Sequence, residues 1–590
     1  MKHYDSRRDF NGEARLLFIA SIAAVIGALS TGTAWLLLHA IALFNNLFFF
    51  QTLSDAVTSP ALNTLGAWVI GVPVAGGLVI GLLARYGSEQ IRGHGIPEAI
   101  EAILFKQSAM SPRVAVLKPL ASAIAIGSGG PFGAEGPIIM TGGAVGSLIA
   151  QHFHLSGGER KALLVAGAVA GMTAVFGTPV AALLLAVELL LFELRPRSLL
   201  PVAVACAVAG FLRTLLMEAG PLFPLQTLPL QPSALLSCLA AGLLCGMLAW
   251  LLSGALYRVE DLFHRLPLHW MWWPAIGGLA VGIGGYYEPR ALGVGYDVIA
   301  DLLQHHPGAA VVGGLLLAKA VMWLIALGSG TSGGVLAPLL MLGAGLGSML
   351  SPYLPGGDPA VWPLVFMAAT LGGMMRAPIM ASVFAFELSN DANALLPVLA
   401  ASVVAYGFTV LTMQRSILTE KIARRGYHIF REYGIDPLER HSVEEVMTAD
   451  PVSIDAGQRI ADLLITHFGA AQRHRAYPVT RDGVLVGMLD RAALAAGEEK
   501  GVDSVGDLYG VNPPLVALAG ETCRNVATRL AVHEIERLPV VDAATHRLVG
   551  LVSRSDLIKV SRTLHDEEHV RQAFRRVSPL RSPAATRPGR

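Results

Sequence analysis

Across 590 residues the sequence is 53% hydrophobic and only 15% charged, with 64 glycines and a formal net charge of +1. Soluble proteins average about 25% charged residues and about 7% glycine, so an ordinary soluble enzyme is excluded. The balance of 44 Lys+Arg against 43 Asp+Glu offers no basic field for nucleic acid. Four cysteines, Cys206, Cys238, Cys245 and Cys523, form no CxxC and three fall in apolar runs, so they read as small buried hydrophobes rather than a disulfide scaffold or zinc site. Charge is unevenly spread: 21 basic and 22 acidic residues, about half of the total, lie from Gly426 onward. Two regions with different solvents follow.

A short charged segment, residues 1–15, precedes an apolar stretch from Leu16 to Phe50 that is too long for a secretory signal and lacks a cleavage site. It is predicted to cross the membrane. Further apolar runs follow at Leu65–Leu83, Ala162–Leu191, Leu199–Leu216, Ala234–Leu252, Val311–Leu327, Val361–Met375 and Leu395–Met413. Most are near or below the roughly 20 residues that span a bilayer, and several are cut by Gly or Pro. Lipid cannot satisfy free backbone groups, so broken helices at membrane depth must be buried in protein or line a polar cavity. They point to a permeation site.

Residues Gly127–Leu148 align with Gly328–Met349 at an offset of 201, pairing Gly127/Gly328, Ser128/Ser329, Gly129/Gly330, Gly133/Gly334, Pro137/Pro338, Met140/Met341, Gly142/Gly343, Gly146/Gly347 and Ser147/Ser348. The match resumes at an offset of 199 with Pro179/Pro378, Ala182/Ala381, Ala186/Ala385 and Glu188/Glu387. The membrane region is therefore read as two homologous halves, about 16–217 and 232–425. Repeats of this kind place a binding site where half-helix N-termini converge. Glycines allow close backbone approach and a proline in the first turn gives up an N–H that had no intrahelical partner. Free N–H groups and the positive dipole end favour an anion.

One carboxylate interrupts this pattern. In Gly133-Ala134-Glu135-Gly136-Pro137 the acid sits at the N-terminus expected to receive the anion, and its repeat partner is the apolar Leu336. Intramembrane acids are costly and functional by default. Ionised Glu135 is expected to occupy an anion position and block it until protonated; the bland alternative is a carboxylate that caps its own helix.

Three segments resemble the CLC family of chloride channels and chloride/proton antiporters: Gly93-His94-Gly95-Ile96-Pro97 is similar to the family's GSGIP, Gly133–Pro137 to GREGP, and Gly334-Val335-Leu336-Ala337-Pro338 to GxFxP. The resemblance covers roughly residues 16–425 and implies an all-α polytopic fold of short tilted helices in an inverted repeat, a homodimer in the lipid bilayer with one pore per subunit, and chloride or a similar small anion as substrate. Departures stand out: the family's anion-donating serine is His94, the GxFxP phenylalanine is Leu336, and the coordinating tyrosine is Leu418. Backbone N–H groups of Ile96, Val335 and Leu336 are then expected to carry the coordination. His94 either donates from its imidazole to the anion or packs as a structural histidine. Exchangers in the family carry an inner glutamate right after the position of Glu188; here it is Leu189, with Glu193 one helical turn beyond Leu189 as the substitute proton acceptor. Channel and proton-coupled exchanger both stay open, the latter taking protons as second substrate, with a lean to exchange.

Basic residues Lys421, Arg424 and Arg425 are a positive-inside signal; with the resemblance they imply a bacterial inner-membrane protein whose N-terminus and soluble tail face the cytosol. That tail resembles a tandem pair of α/β CBS domains, residues 441–498 and 504–562, running from Val446-Met447-Thr448 and from Val505-Gly506-Asp507-Leu508 respectively. The resemblance implies adenine nucleotide as a regulatory ligand, with Ser553 and Asp556 on the ribose; Asp490 and Ala493 at the matching places of the first unit do not fit. A purely structural pair is the alternative, and no cofactor is required for transport. Residues 566–590 read as a disordered basic tail, lipid-bound or simply solvated.

Rival chemistries are weak. Gly330-Thr331-Ser332-Gly333 matches the G-x-S-G of intramembrane serine proteases, yet its repeat partner Gly129-Gly130-Pro131-Phe132 lacks the serine. His565 and His569 have metal-ligand spacing without a third ligand nearby. A membrane nucleotide sensor without transport is the alternative of another class, and the intact Glu135 motif speaks against it.

Overall fold

The computed structural model describes residues 15–217, 219–305, 308–356, 358–427, 436–469, 474–509 and 514–560. They form two compact units, one within Phe10–Arg431 and one within Glu432–Arg590. Calls on residues 565, 569 and the 566–590 tail lie outside the described residues.

The first unit is helical throughout: α1 (Arg15–Phe50), α2 (Gly71–Tyr86), α3 (Ile96–Phe105), α4 (Pro112–Gly127), α5 (Glu135–Ala150), α6 (Gly157–Phe176), α7 (Pro179–Leu185), α8 (Pro196–Leu216), α9 (Ala234–His264), α10 (Trp273–Tyr287), α11 (Tyr296–Gln304), α12 (Ala309–Gly328), α13 (Leu336–Leu350), α14 (Val361–Met375), α15 (Pro378–Ser389), α16 (Leu395–Thr412) and α17 (Ile417–Arg424). Seven of the helices among the described residues are long and apolar enough to cross a membrane. At 36 residues α1 is about 54 Å long, well beyond a hydrocarbon core of about 30 Å, so it must tilt. Proline opens α4, α7, α8 and α15, where its fixed φ suits the first turn. The apolar run Ala162–Leu191 is two elements, because Gly177 adopts φ 72° and ends α6 before α7 begins. Exposed side chains such as Leu36, Phe211, Leu236 and Leu411 give the unit an apolar exterior suited to lipid. All four cysteines are buried and unpaired.

Helices α1–α8 recur in the same order as α9–α16, and the two sets meet at equivalent residues. Gly133 and Gly334 form an antiparallel bridge, with the Gly334 N–H donating to the Gly133 carbonyl at 2.9 Å. A bridge between repeat-equivalent residues places a pseudo-two-fold axis between them. The contact of α2 with α10 obeys the same axis: a Cβ on Gly77 would lie 2.3 Å from the Pro274 carbonyl, and one on Gly278 would lie 2.3 Å from the Pro73 carbonyl. Only glycine permits that approach of backbones.

In the second unit, β2 (Ile454–Asp455), β3 (Ala476–Arg481) and β4 (Val484–Asp490) form a sheet of order β2-β3-β4, and β1 (Thr448–Ala449), β5 (Ala517–Leu518), β6 (Arg537–Val541) and β7 (Leu548–Ser553) form one of order β1-β7-β6-β5. Each module repeats strand, helix, hairpin and helix. The segments that open the modules are exchanged. Thr448 pairs with Leu551, and Val443 joins the core of the second module. Conversely Val505 packs in the core of the first, its N–H bonded to the Gln458 carbonyl at 3.0 Å. Thus 446–448 and 505–508 pack on the module opposite to the one each opens in sequence.

Candidate functional site

Helix starts α3, α5 and α13 converge near the pseudo-two-fold axis. Gly136 and Gly334 are packed at backbone distance: a Cβ on Gly136 would fall 2.0 Å from the His94 carbonyl and 3.2 Å from the Gly334 Cα. Ala134 precedes α5 as its N-cap and Pro137 sits in its first turn. His94, Gly95, Ile96 and Pro97 open α3, with Gly95 at φ 88°. Val335 is the N-cap of α13 and Leu336 its first residue, both fully buried.

Glu135 is fully buried, and its carboxylate reaches across the axis. Oε1 accepts the Ala337 N–H in the first turn of α13 at 2.9 Å, while Oε2 has no partner among the described residues. The group lies over two glycines: a Cβ would come within 1.8 Å of the carboxylate at Gly133 and within 2.8 Å at Gly334. A negative oxygen thus sits at the positive end of the opposite half's helix. The bonded donor is Ala337, in the turn that Val335 and Leu336 open.

At α3, Glu98 turns back to accept the Gly95 N–H at 3.1 Å and is paired with Lys421 at 3.0 Å and Arg425 at 2.7 Å. Lys118 on α4, fully buried, donates to the carbonyls of Ile91 and Gly93 at 2.8 and 2.6 Å. Its repeat mate Lys319 donates to Ala291 and Gly293 at 3.1 and 2.7 Å. Two buried ammonium groups therefore hold the loops that present α3 and α11, and the sequence reading passed over both, together with Glu98. Their signal was available: each lysine stands alone in an apolar run at an offset of 201. His94 itself is buried, and neither ring nitrogen has a partner among the described residues. Its side lines a cavity of about 800 Å³ whose wall includes Glu98, Glu101, Arg92, Lys421 and Arg425.

Other predicted residues have partners of their own. Leu418 is fully buried on α17, which packs on α3 and α14. Glu188 accepts the Met380 N–H of α15 at 2.9 Å, and its mate Glu387 accepts the Val180 and Ala181 N–H groups of α7 at 3.0 and 2.8 Å. Each glutamate caps the helix of the other half. Glu193 does not continue the helical face of Leu189. The chain after Ala186 winds as a π turn, Phe192 takes φ 53° and ends it, and Glu193 lies beyond, accepting from Ser198 at 2.6 Å. Leu189 is fully buried. The Ser332 hydroxyl is paired with the Ser122 hydroxyl at 2.8 Å in a buried contact, a hydrogen-bonded core pair.

In the second unit, Ser553 and Asp556 bond each other: the Ser553 N–H and hydroxyl donate to Asp556 Oδ2 at 2.9 and 2.6 Å, and Lys559 holds Oδ1 at 2.6 Å. Burial pushes the Asp556 carboxyl up, but the bonds from Lys559 and Ser553 outweigh it and hold the group below the usual carboxylate range. The matching Asp490 caps the helix Arg491–Glu499 through the Ala493 N–H at 2.8 Å.

A family model described as voltage gated chloride channel matches residues 76–410, and one described as CBS domain matches 443–496 and 505–563. The voltage-gated ClC-type chloride channel ClcB of Salmonella typhimurium is 30% identical over 403 residues, 66% of this chain and 95% of that protein. A slow cyanobacterial Cl⁻/H⁺ antiporter shares the fold with a TM-score of 0.63 at 21% identity, covering 70% of this chain and 99% of the other. A eukaryotic CLC transporter does so at 0.57 and 18%, covering 92% and 98%.

Proposed function

The chain belongs to the CLC family of voltage-gated chloride channels and transporters, with two CBS domains, and on that footing we propose that it carries chloride-sized anions across a membrane through a path gated by Glu135. The observation that carries this reading is the Glu135 carboxylate bonded to the Ala337 N–H, an acidic group brought against a helix start over Gly133 and Gly334. Protonation removes the charge that holds it there, and an anion takes the place. His94, Gly95 and Ile96 would line the anion's route from the cavity, with Leu418 closing it apolar.

Exchange of chloride for protons is the mode we adopt, on the strength of a protonatable gate. The channel reading rests on buried Leu189 at the inner-acid position and on Glu193 lying off the helix, engaged by Ser198. For the CBS pair the reading is an adenine nucleotide regulator that would displace the Ser553–Asp556 bond; the capped arrangement equally supports a structural pair. A homodimer in the bilayer completes the proposal, and chemical cross-linking in membranes tests it.

Chloride efflux from liposomes holding the full-length protein tests the gate. Wild-type flux is expected to fall as pH rises, and Glu135→Gln is expected to keep flux at alkaline pH. A Gln variant that closes with pH as the wild type does would remove Glu135 from the role. Proton movement driven by a chloride gradient distinguishes exchange from a channel.

A further inference from the structure

A buried imidazole with both ring nitrogens unmatched is costly, because each polar atom removed from water without a partner forfeits its hydrogen bonds. His94 is in that state, 3% exposed and without a ring partner among the described residues. The fold does not require it: the equivalent position before α11 is Val294, although the rest of the device is kept, with Gly95 matched by Gly295 and Lys118 by Lys319. An imidazole has been placed where an apolar residue suffices for structure.

The charges around it are unequal. The charges that act on the ring are Glu98 from α3, Lys118 from α4, Lys421 from α17 and Arg425, the residue after α17. Glu98 is already taken by Gly95, Lys421 and Arg425. Lys421 Nζ lies 2.2 Å from where a Cβ on Gly93 would stand, so the cations enclose the residue before His94 as well. Three cations against one engaged carboxylate oppose a further positive charge on the ring, and the same field attracts an anion. An anion at the α3 start supplies the missing counter-charge.

We propose that His94 is a proton-binding station coupled to anion occupancy: an anion seated at the α3 start and a proton on the His94 imidazole are taken up together and released together. The proton comes from hydronium in the water of the 800 Å³ cavity that His94 lines, adds to the lone pair of the unprotonated ring nitrogen, and returns to water when the anion leaves. The His94 carbonyl abuts Gly136, next to Glu135, so this station stands beside the gate. The inference rests on the anion-path reading above.

The test removes the other carboxylate first. In full-length Glu135→Gln protein in weakly buffered micelles, saturating chloride is expected to draw up to one proton per subunit from solution. The chloride Kd should weaken as pH rises, with a limiting slope of about tenfold per pH unit over the interval between the ring's titration without and with the anion, as reciprocal linkage demands. Adding His94→Gln, or separately His94→Ser, is expected to abolish proton uptake and to flatten the pH dependence of the chloride binding that remains, whatever its affinity. Uptake that survives both double variants, or chloride binding by Glu135→Gln without uptake, overturns the proposal while leaving the anion path intact. Absence of chloride binding in wild type and Glu135→Gln alike would take down both.

Discussion

The reciprocal caps at α7 and α15 make a prediction that separates structure from transport. Glu387 uses both carboxylate oxygens, accepting Val180 and Ala181 at 3.0 and 2.8 Å, at a helix start where Pro179 has no N–H to offer. A hydrogen bond to a charged acceptor contributes about 1.5–3 kcal/mol, and favourable charge at a partly buried helix terminus up to about 2 kcal/mol. Glu387→Gln keeps one acceptor oxygen and loses the charge, so the cost should be about 2–3 kcal/mol; Glu387→Ala strands both N–H groups and should cost about 3–5 kcal/mol. Glu188→Gln, at the mirror position and bonded to Met380 at 2.9 Å, should fall in the same range as Glu387→Gln. Thermal unfolding of the full-length protein in detergent measures the ranking, and chloride flux in liposomes is expected to persist in the folded Gln variants. If Glu188→Gln unfolds like wild type yet loses pH-dependent flux, the cap account is refuted and Glu188 belongs to the proton path.

Two further outcomes follow from the geometry. Lys118→Met releases the Ile91–Gly93 carbonyls ahead of His94 and should weaken chloride binding several-fold by titration calorimetry, whereas Lys319→Met, which releases the loop before α11, should leave the affinity near wild type. Asp556 is held below the usual carboxylate range, so its contribution to stability is present at neutral pH and is lost as pH falls through its folded value. Asp556→Asn should therefore raise hydrogen exchange in β7 and the helix over 554–560 at pH 7 and abolish the extra acid-side increase, read after correction for intrinsic rates.

Glycine and proline spacing made the repeat legible, because only glycine allows the approaches at Gly77, Gly133, Gly278 and Gly334 and their absence elsewhere leaves a periodic trace. The family segments likewise located α3, α5 and α13. What local pattern cannot show is which copy of a repeat a segment packs against. The stretches 446–448 and 505–508 announce two modules but pair across them, because their strand and core contacts form with distant chain. Glu193 illustrates a period that changes: an α-helical spacing from Leu189 fails once the chain takes a π turn and Phe192 turns left-handed.

A symmetric frame with unsymmetric side chains explains how one carboxylate can control the path. The bridge between Gly133 and Gly334, the paired lysines and the exchanged glutamate caps all obey the axis. Together they aim equivalent helix starts at one place from the two halves, and by themselves they would make a pore with no preferred closed state. Three substitutions break the equivalence: Glu135 faces Leu336, His94 corresponds to Val294, and Glu98 to Val298. Because Glu135 crosses the axis to Ala337, the carboxylate of the first half sits at the helix start of the second, where the equivalent residue is the apolar Leu336. His94 and Glu98 occur only at α3, where Glu98 pairs with Lys421 and Arg425 beside the cavity, whereas at α11 the ion pair is Arg290 with Asp301. Under the proposed gate, a response to pH requires no moving domain, only protonation at one end of a backbone built alike at both.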